Sequence, residues 1–484
     1  MINTLLIGLS MLWSSSDPVN GDTLRLSLPQ VVALAKSNSI AAKQAITIKE
    51  TKFWEWKTFK SNYQPQLALS GILPGYTKTY VQVQQPNGSI LFQPVRNDNS
   101  SLTLDFSQSI AATGGTIFGT TQLQRFTDFD RNNVLYNGIP YGVGYTQPLL
   151  QFNSLKWDKK IEPLKYNESR QAYIESQEKI AVNVTDYYFD LLLAQANVDM
   201  AEKNLANTRR IRSIAETKFE LGKITKNEIL QLQLEVLNAQ KASGSAKRDV
   251  EIATLNLISY AGIDATDSKI ILEMPAASKD IEVSTDLVLK EALENRSDAI
   301  AFVRRLAEAK RDVAKAKGEN GLKATLRANL GFSNAGSRIF DVYRSPKTQQ
   351  SVEVQLSIPV LDWGRSKSRT KTAQANEQFT SYSVQQDQQV FKQQIITEVT
   401  LYNMMKDQIK LTAEAERIAA EKYTIASERY VLGNLSITDL SIAFQENDRA
   451  KRDYVTSMRD FWTAFYQLRY LSLYDFEKNQ KITY

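Results

Sequence analysis

The chain has 484 residues, 42% hydrophobic and 23% charged, which is the balance of a folded protein of two or three domains rather than a disordered one. Its 59 basic residues exceed its 53 acidic ones by six, spread along the whole length, so no footprint for nucleic acid is drawn. With no cysteine and no histidine, disulfides, thiolate or imidazole catalysis and the usual zinc sites are excluded, and Gly222-Lys223 runs into Ile224 where a phosphate loop needs Ser or Thr.

No catalytic constellation can be assembled, and neither a cofactor nor a metal is expected. Residues 2–13 are the only long apolar run, too short for a membrane-spanning helix. With Ser14-Ser15-Ser16 behind it, the run reads as the core of a secretory signal within residues 1–20, although no Lys or Arg precedes Arg25. A chain of this kind crosses a membrane, if at all, with strands.

A helix is expected over 28–60. Strands follow within 67–148: Leu67 to Ser70, Leu102 to Ser107, Ile117 to Phe126 and Tyr141 to Tyr145 alternate apolar and polar residues. Between them Pro74-Gly75, Pro86-Asn87-Gly88 and Asn137-Gly138 are turn signals, which suggest an elaborated extracellular hairpin in 72–140. Residues 153–221 contain no glycine and only Pro163, near the start, and predict a helix of about 69 residues, roughly 100 Å. Its return is 226–260. A helix over 286–317 follows, then strands within 326–359, where Val352 to Ile358 alternates strictly. A helix over 366–432, a return over 437–475 and a tail over 477–484 complete the chain. Uncapped helices of this length imply coiled-coil packing.

The chain is a duplicated unit, with repeats at 24–262 and 284–476. Gln147-Pro148-Leu149-Leu150-Gln151-Phe152-Asn153 matches Ile358-Pro359-Val360-Leu361-Asp362-Trp363-Gly364, and Leu221-Gly222 matches Leu432-Gly433, both 211 positions apart (359 − 148 and 433 − 222). Ala33-Leu34 and Leu67 match Ala292-Leu293 and Leu326 at an offset of 259 (292 − 33 and 326 − 67). The first repeat therefore carries 48 additional residues (259 − 211) within 73–139. Four core strands cannot close a barrel, whose minimum is about eight, and open edges are unacceptable in lipid. Symmetric copies around an axis would close both the sheet and the long hairpins.

In its duplication, its strand-to-helix junction at Ile358-Pro359-Val360-Leu361-Asp362-Trp363-Gly364 and its Leu-Gly hairpin tips, the chain resembles the TolC-like outer-membrane efflux proteins over nearly all of residues 24–476. The resemblance implies an α+β fold, mostly α, in which coiled-coil hairpins form an α-barrel joined to a twelve-stranded transmembrane β-barrel closed by trimerisation. It implies a homotrimer in outer-membrane lipid that extends into the periplasm and docks on a periplasmic adaptor and an inner-membrane pump. Function is then that of a passive exit duct for efflux or type I secretion. A non-transporting coiled-coil scaffold of the cell envelope would not need the paired strands, and a periplasmic adaptor subunit would carry one hairpin rather than two.

The tips carry the candidate site. Gly222 and Gly433 suit the left-handed end of a helix. Thr225-Lys226-Asn227-Glu228 reads as a capping box, with Ser436-Ile437-Thr438-Asp439 a variant of it. The resemblance places Asp439 at the first acidic position of a pore constriction and Ile442 at the second, a mixed polar and apolar gate with Glu228 on the matching helix. It also makes Gly222, Lys223, Ile224, Thr225, Gly433, Asn434, Leu435 and Ser436 the adaptor-docking tips. Tyr76, Tyr80, Phe92, Tyr141, Tyr145 and Phe340 are candidates for interfacial girdles, and Phe53, Trp54 and Trp56 for inter-helix core.

Overall fold

The computed structural model describes residues 23–222, 224–264, 269–276, 281–432 and 434–483. The expected signal segment, Lys223 and Gly433 lie outside them. The first repeat contains β1 (Thr23–Leu26), α1 (Leu28–Asn38), α2 (Ile40–Ser61), β2 (Gln66–Ile72), β3 (Tyr76–Gln84), β4 (Ile90–Ile110), β5 (Gly115–Asp128), β6 (Asn133–Leu149), α3 (Ser154–Glu220) and α4 (Lys226–Ala261). After β7 (Lys269–Leu272) come α5 (Thr285–Asn295), α6 (Ser297–Asn320), β8 (Lys323–Gly336), β9 (Lys347–Ser357), α7 (Arg365–Val431) and α8 (Ile437–Ser472). Two short strands, β10 (Tyr474–Asp475) and β11 (Gln480–Lys481), close the chain.

The duplication is visible element by element. Helices α3 and α7 have 67 residues each and start 211 apart (365 − 154); α4 and α8 have 36 each and start 211 apart (437 − 226). Upstream the offset is 257, for α1 and α5 (285 − 28), α2 and α6 (297 − 40) and the starts of β2 and β8 (323 − 66). The 259 offset expected from Ala33-Leu34 and Ala292-Leu293 is two residues out of register. Buried Val31 and Ala35 correspond to buried Val288 and Ala292; at Leu67 and Leu326, in β2 and β8, a slip of two is invisible because it leaves every strand side chain on the same face. The additional segment is thus 46 residues long (257 − 211).

The helices expected as single elements over 28–60 and 286–317 are each broken once, at Ser39 and Arg296, again 257 apart (296 − 39). Ser39 is buried and extended, and its hydroxyl accepts the Ala42 N–H at 3.0 Å, so α2 starts afresh on its own cap.

Two compact units divide the chain. One comprises Thr47–Tyr173 and Leu289–Gln394 and holds a single antiparallel sheet in the order β2-β4-β5-β6-β8-β9, with β3 paired to the outer part of β4. Six strands therefore pass through the sheet, not four: the additional residues form two whole passes rather than only an external loop. The β4–β5 turn lies at the end of the sheet where the helices join. There the Asn153 side-chain amide donates to the Ala111 carbonyl at 3.0 Å, while its oxygen accepts the Lys156 N–H at 3.0 Å at the start of α3. Gly114 makes that turn at φ +77°. Gly88 closes the β3–β4 turn at φ +82°, as its sequence suggests. Asn137-Gly138, by contrast, is no turn but lies inside β6 beside a bulge, where a Cβ on Gly138 would stand 2.4 Å from the Gln122 carbonyl oxygen.

The register puts one apolar face across all six strands. Leu67 and Leu69 of β2 pair with Phe106 and Leu104 of β4; Leu102 pairs with Leu123 of β5; Val143 of β6 pairs with Leu330 of β8; and Leu326 and Ala328 pair with Val354 and Val352 of β9. Most of this face is exposed in the single chain. The opposite face carries Thr103, Asp105, Gln122, Asn329, Glu353 and Gln355, because successive side chains of a strand alternate sides. Of the candidate girdle residues, Tyr76, Tyr80, Phe92, Tyr141 and Phe340 are exposed, whereas the Tyr145 hydroxyl is turned onto Gln147. In the helical part of this unit Trp56 stacks on Tyr166 at 5.2 Å. Phe53 and Trp54, expected in the inter-helix core, are instead exposed, Trp54 by 58%.

The other unit comprises the described residues up to Ile46, Ile174–Val288 and Ile395–Tyr484. Its core is built on Tyr188, Phe189, Leu191, Tyr402, Phe465 and Leu468, and β1 pairs in parallel with β7. Glu178 of α3 is fully buried there between Lys36 of α1 at 2.6 Å and Arg469 of α8 at 3.2 Å, and Arg469 also holds Asp475 of β10 at 2.8 Å. Burial pulls the Lys36 ammonium below its usual range in spite of Glu178. Burial alone would raise the Asp475 carboxyl, but the Arg469 guanidinium prevails and holds it below the carboxylate range. That contribution to stability is present above the ordinary carboxylate range and is lost as pH falls through the lowered pKa. Removing one partner from such a network leaves charge buried and unpaired, so Glu178→Gln is expected to cost on the order of 3–5 kcal/mol. Urea denaturation of the solubilised protein measures this; an unchanged midpoint would show that the network adds nothing.

Candidate functional site at the helical tips

Each long helix must stop and reverse within a few residues, and local hydrogen bonding explains how. At the first tip, Gly222 takes φ +66° and its N–H reaches the Phe219 carbonyl at 2.8 Å. Thr225 then caps α4. Its hydroxyl oxygen accepts the Glu228 N–H at 3.3 Å, and the Glu228 carboxylate accepts the Thr225 N–H at 2.6 Å. These bonds, from the Thr225 backbone first and its hydroxyl second, hold the Glu228 carboxyl below its ordinary range. At the second tip the Asn434 N–H reaches back to the Arg429 carbonyl at 2.9 Å. Ser436 caps α8 by accepting the Asp439 N–H at 3.1 Å, while its hydroxyl donates to the Asp439 carboxylate at 2.7 Å. Both acidic residues also lie where the positive end of a helix favours them.

The tip residues are not equivalent. Thr225, Asn434 and Ser436 are exposed. Ile224, expected among the docking tips, is half-buried against a small apolar cluster of Ala215, Ile229 and Leu232 with Ile211, so it anchors the turn. Leu435 is half-buried as well. Glu228 and Asp439 are exposed, each occupied with its own cap.

Ile442, one turn beyond Asp439 and about half exposed, borders a cleft of 320 Å³. Its polar walls include Asn204, Asn207 and Thr208 of α3, Glu235 of α4 and Tyr423 of α7, and Ile211, Leu232 and Phe444 line it as well. The Asn207 amide donates to the Tyr423 hydroxyl at 2.6 Å, and burial pushes the Tyr423 phenol above its usual range. Asp439 does not border this cleft, so the two candidate gate residues face different surroundings in one chain. The cleft is nearly silent in the sequence. Its only trace is the polar spacing of Asn204, Asn207 and Thr208 on a single helical face.

With the open apolar-and-polar sheet, the paired 67-residue helices and the capped tips in view, the class of the molecule is defined. The chain matches the outer membrane efflux protein family over residues 119–263 and 288–472, and it belongs to that family. It is an outer-membrane exit duct reaching into the periplasm, of a family of channel proteins that works with periplasmic adaptors and inner-membrane pumps. Among curated relatives, the alkaline protease secretion protein AprF of Pseudomonas aeruginosa is 22% identical over 341 residues, 66% of this chain and 68% of its own. Among solved structures, the Campylobacter jejuni CmeC outer membrane channel superposes with a TM-score of 0.66 at 16% identity, covering 94% of this chain and 87% of that one. The outer membrane protein VceC of Vibrio cholerae gives 0.64 at 14% identity, covering 94% and 97%. These are likenesses of fold.

Proposed function

We propose that three copies of this chain close into one passive conduit, which conducts cargo delivered by an adaptor and pump in efflux or type I secretion. The observation that carries this is a stripe on α7. Met404, Leu411, Ile418 and Ile425 recur every seven residues and are 56%, 73%, 51% and 50% exposed in one chain. A strict seven-residue repeat of large apolar side chains is the seam of a coiled coil waiting for its neighbour. Within that reading the exposed tip residues Thr225, Asn434 and Ser436 form the surface on which adaptor hairpins dock. Asp439 and Ile442 form the constriction, the first favouring cations and the second resisting wetting.

Ile418→Asp places a charge in the seam and is expected to abolish the heat-modifiable, SDS-resistant oligomer from outer-membrane fractions, together with export. An oligomer that persists at wild-type strength would reject the seam. Asp439→Ala is expected to raise the ion conductance of the closed channel in planar bilayers, and unchanged conductance would remove Asp439 from the constriction.

A further inference from the structure

The two additional strand passes have a consequence for the width of the pore. Strands β4 and β5 are joined by the short turn at the helix end of the sheet and pair continuously from Asn97↔Asp128 to Ile110↔Gly115. They occupy the middle of the sheet, between β2 and the rest, rather than its rim. Segments of about 9–11 residues suffice to cross a bilayer as tilted strands, and this paired stretch exceeds that length.

The side-chain pattern of the hairpin is that of a lipid-facing wall. Leu102, Leu104 and Phe106 of β4 and Ile117, Thr121 and Leu123 of β5 share one face with the apolar residues of the other four strands. Thr103, Asp105, Ser107, Thr120, Gln122 and Gln124 share the other. A hairpin folded as a plug into an aqueous lumen would have no reason to keep its apolar residues on the same face as the wall strands. Just beyond Leu102 and Leu123, the apolar face ends at Arg125 and Asp98, which lie 4.0 Å apart. Among the described residues no helix is long and apolar enough to cross a membrane, so in an outer-membrane protein this sheet is the membrane-embedded element. Its edges, β2 and β9, are an odd number of antiparallel steps apart and run in opposite senses. A copy placed alongside can therefore continue the antiparallel ladder.

We infer that all six strands of each copy stand in the barrel wall, so that a trimer closes an eighteen-stranded barrel rather than a twelve-stranded one; this rests on the trimeric duct proposed above. At a strand spacing of about 4.8 Å and a tilt of about 40°, eighteen strands give a diameter of roughly 36 Å between strand axes and twelve roughly 24 Å. Barrels of sixteen to eighteen strands leave an open aqueous channel. The exit is therefore wide enough for a bulky chain or a compact polypeptide, not only for small solutes.

The absence of native cysteine allows the hairpin to be read one residue at a time. Spin labels are placed in the intact oligomer in lipid vesicles by Leu104→Cys, Thr121→Cys and Leu123→Cys on one face, and by Thr103→Cys, Asp105→Cys and Gln122→Cys on the other. The first three are expected to collide several-fold more with oxygen than with a water-soluble nickel chelate, and the last three the reverse. Electron cryomicroscopy of the unsubstituted protein reads copy number and barrel diameter independently of any substitution. Three copies, a barrel near 36 Å and alternating accessibility support the inference. Three copies with a barrel near 24 Å, or with both faces of β5 aqueous, overturn it and leave the trimeric duct standing. Any other copy number overturns the trimer and the number eighteen together.

Discussion

An antiparallel sheet with two free edges cannot sit in hydrocarbon, because every unpaired N–H and C=O there costs several kcal/mol. One chain of this protein supplies six strands and leaves the outward rows of β2 and β9 unsatisfied. The remaining architecture answers to that constraint. The even number of passes sets the two edges antiparallel. The alternation of side chains gives them one apolar and one polar side. The helices on which the sheet stands carry their own unfinished apolar stripe along α7. A single copy completes neither the sheet nor the α7 stripe, and symmetric copies, as proposed above, would supply partners for each.

The duplicated plan separates what is fixed from what has varied. The four long helices keep equal lengths and a constant offset in both halves, since a change of a few residues in one would displace its tip from the other. The strands face a weaker demand. A hairpin can be added in the middle of an up-and-down sheet without altering where the chain enters or leaves it, provided that the number of passes stays even. The 46-residue insertion does this, and its turn is received by Asn153, a residue already engaged in starting α3.

The long helices and most strands were legible from the residues alone because their signals are strong and local: long, almost glycine-free helical periodicity and strict alternation in Leu102 to Ser107 and Val352 to Ile358. The capping box at Thr225 and Glu228 was legible for the same reason. What failed depended on tertiary context. The tight β4–β5 turn at Ala111-Ala112-Thr113-Gly114 has a weak turn signature, while Asn137-Gly138 has a strong one but lies at a bulge inside β6. The breaks at Ser39 and Arg296 fall at buried residues with extended backbone, Ser39 capping α2, and not at proline or glycine. Ile224 looked free because the cluster it joins forms only where α3 and α4 fold back on each other across the tip. The cleft beside Ile442 takes residues from four helices, and only the polar spacing of Asn204, Asn207 and Thr208 marks it locally.

The most direct test of the account is the mass of the protein extracted intact from the outer membrane, measured by native mass spectrometry as detergent is stripped away. The account predicts a complex of three identical chains, with no stable inserted species of one chain. A membrane-inserted monomer that retains its folded strands would contradict it, because the edges of β2 and β9 would then have to be satisfied without a neighbour.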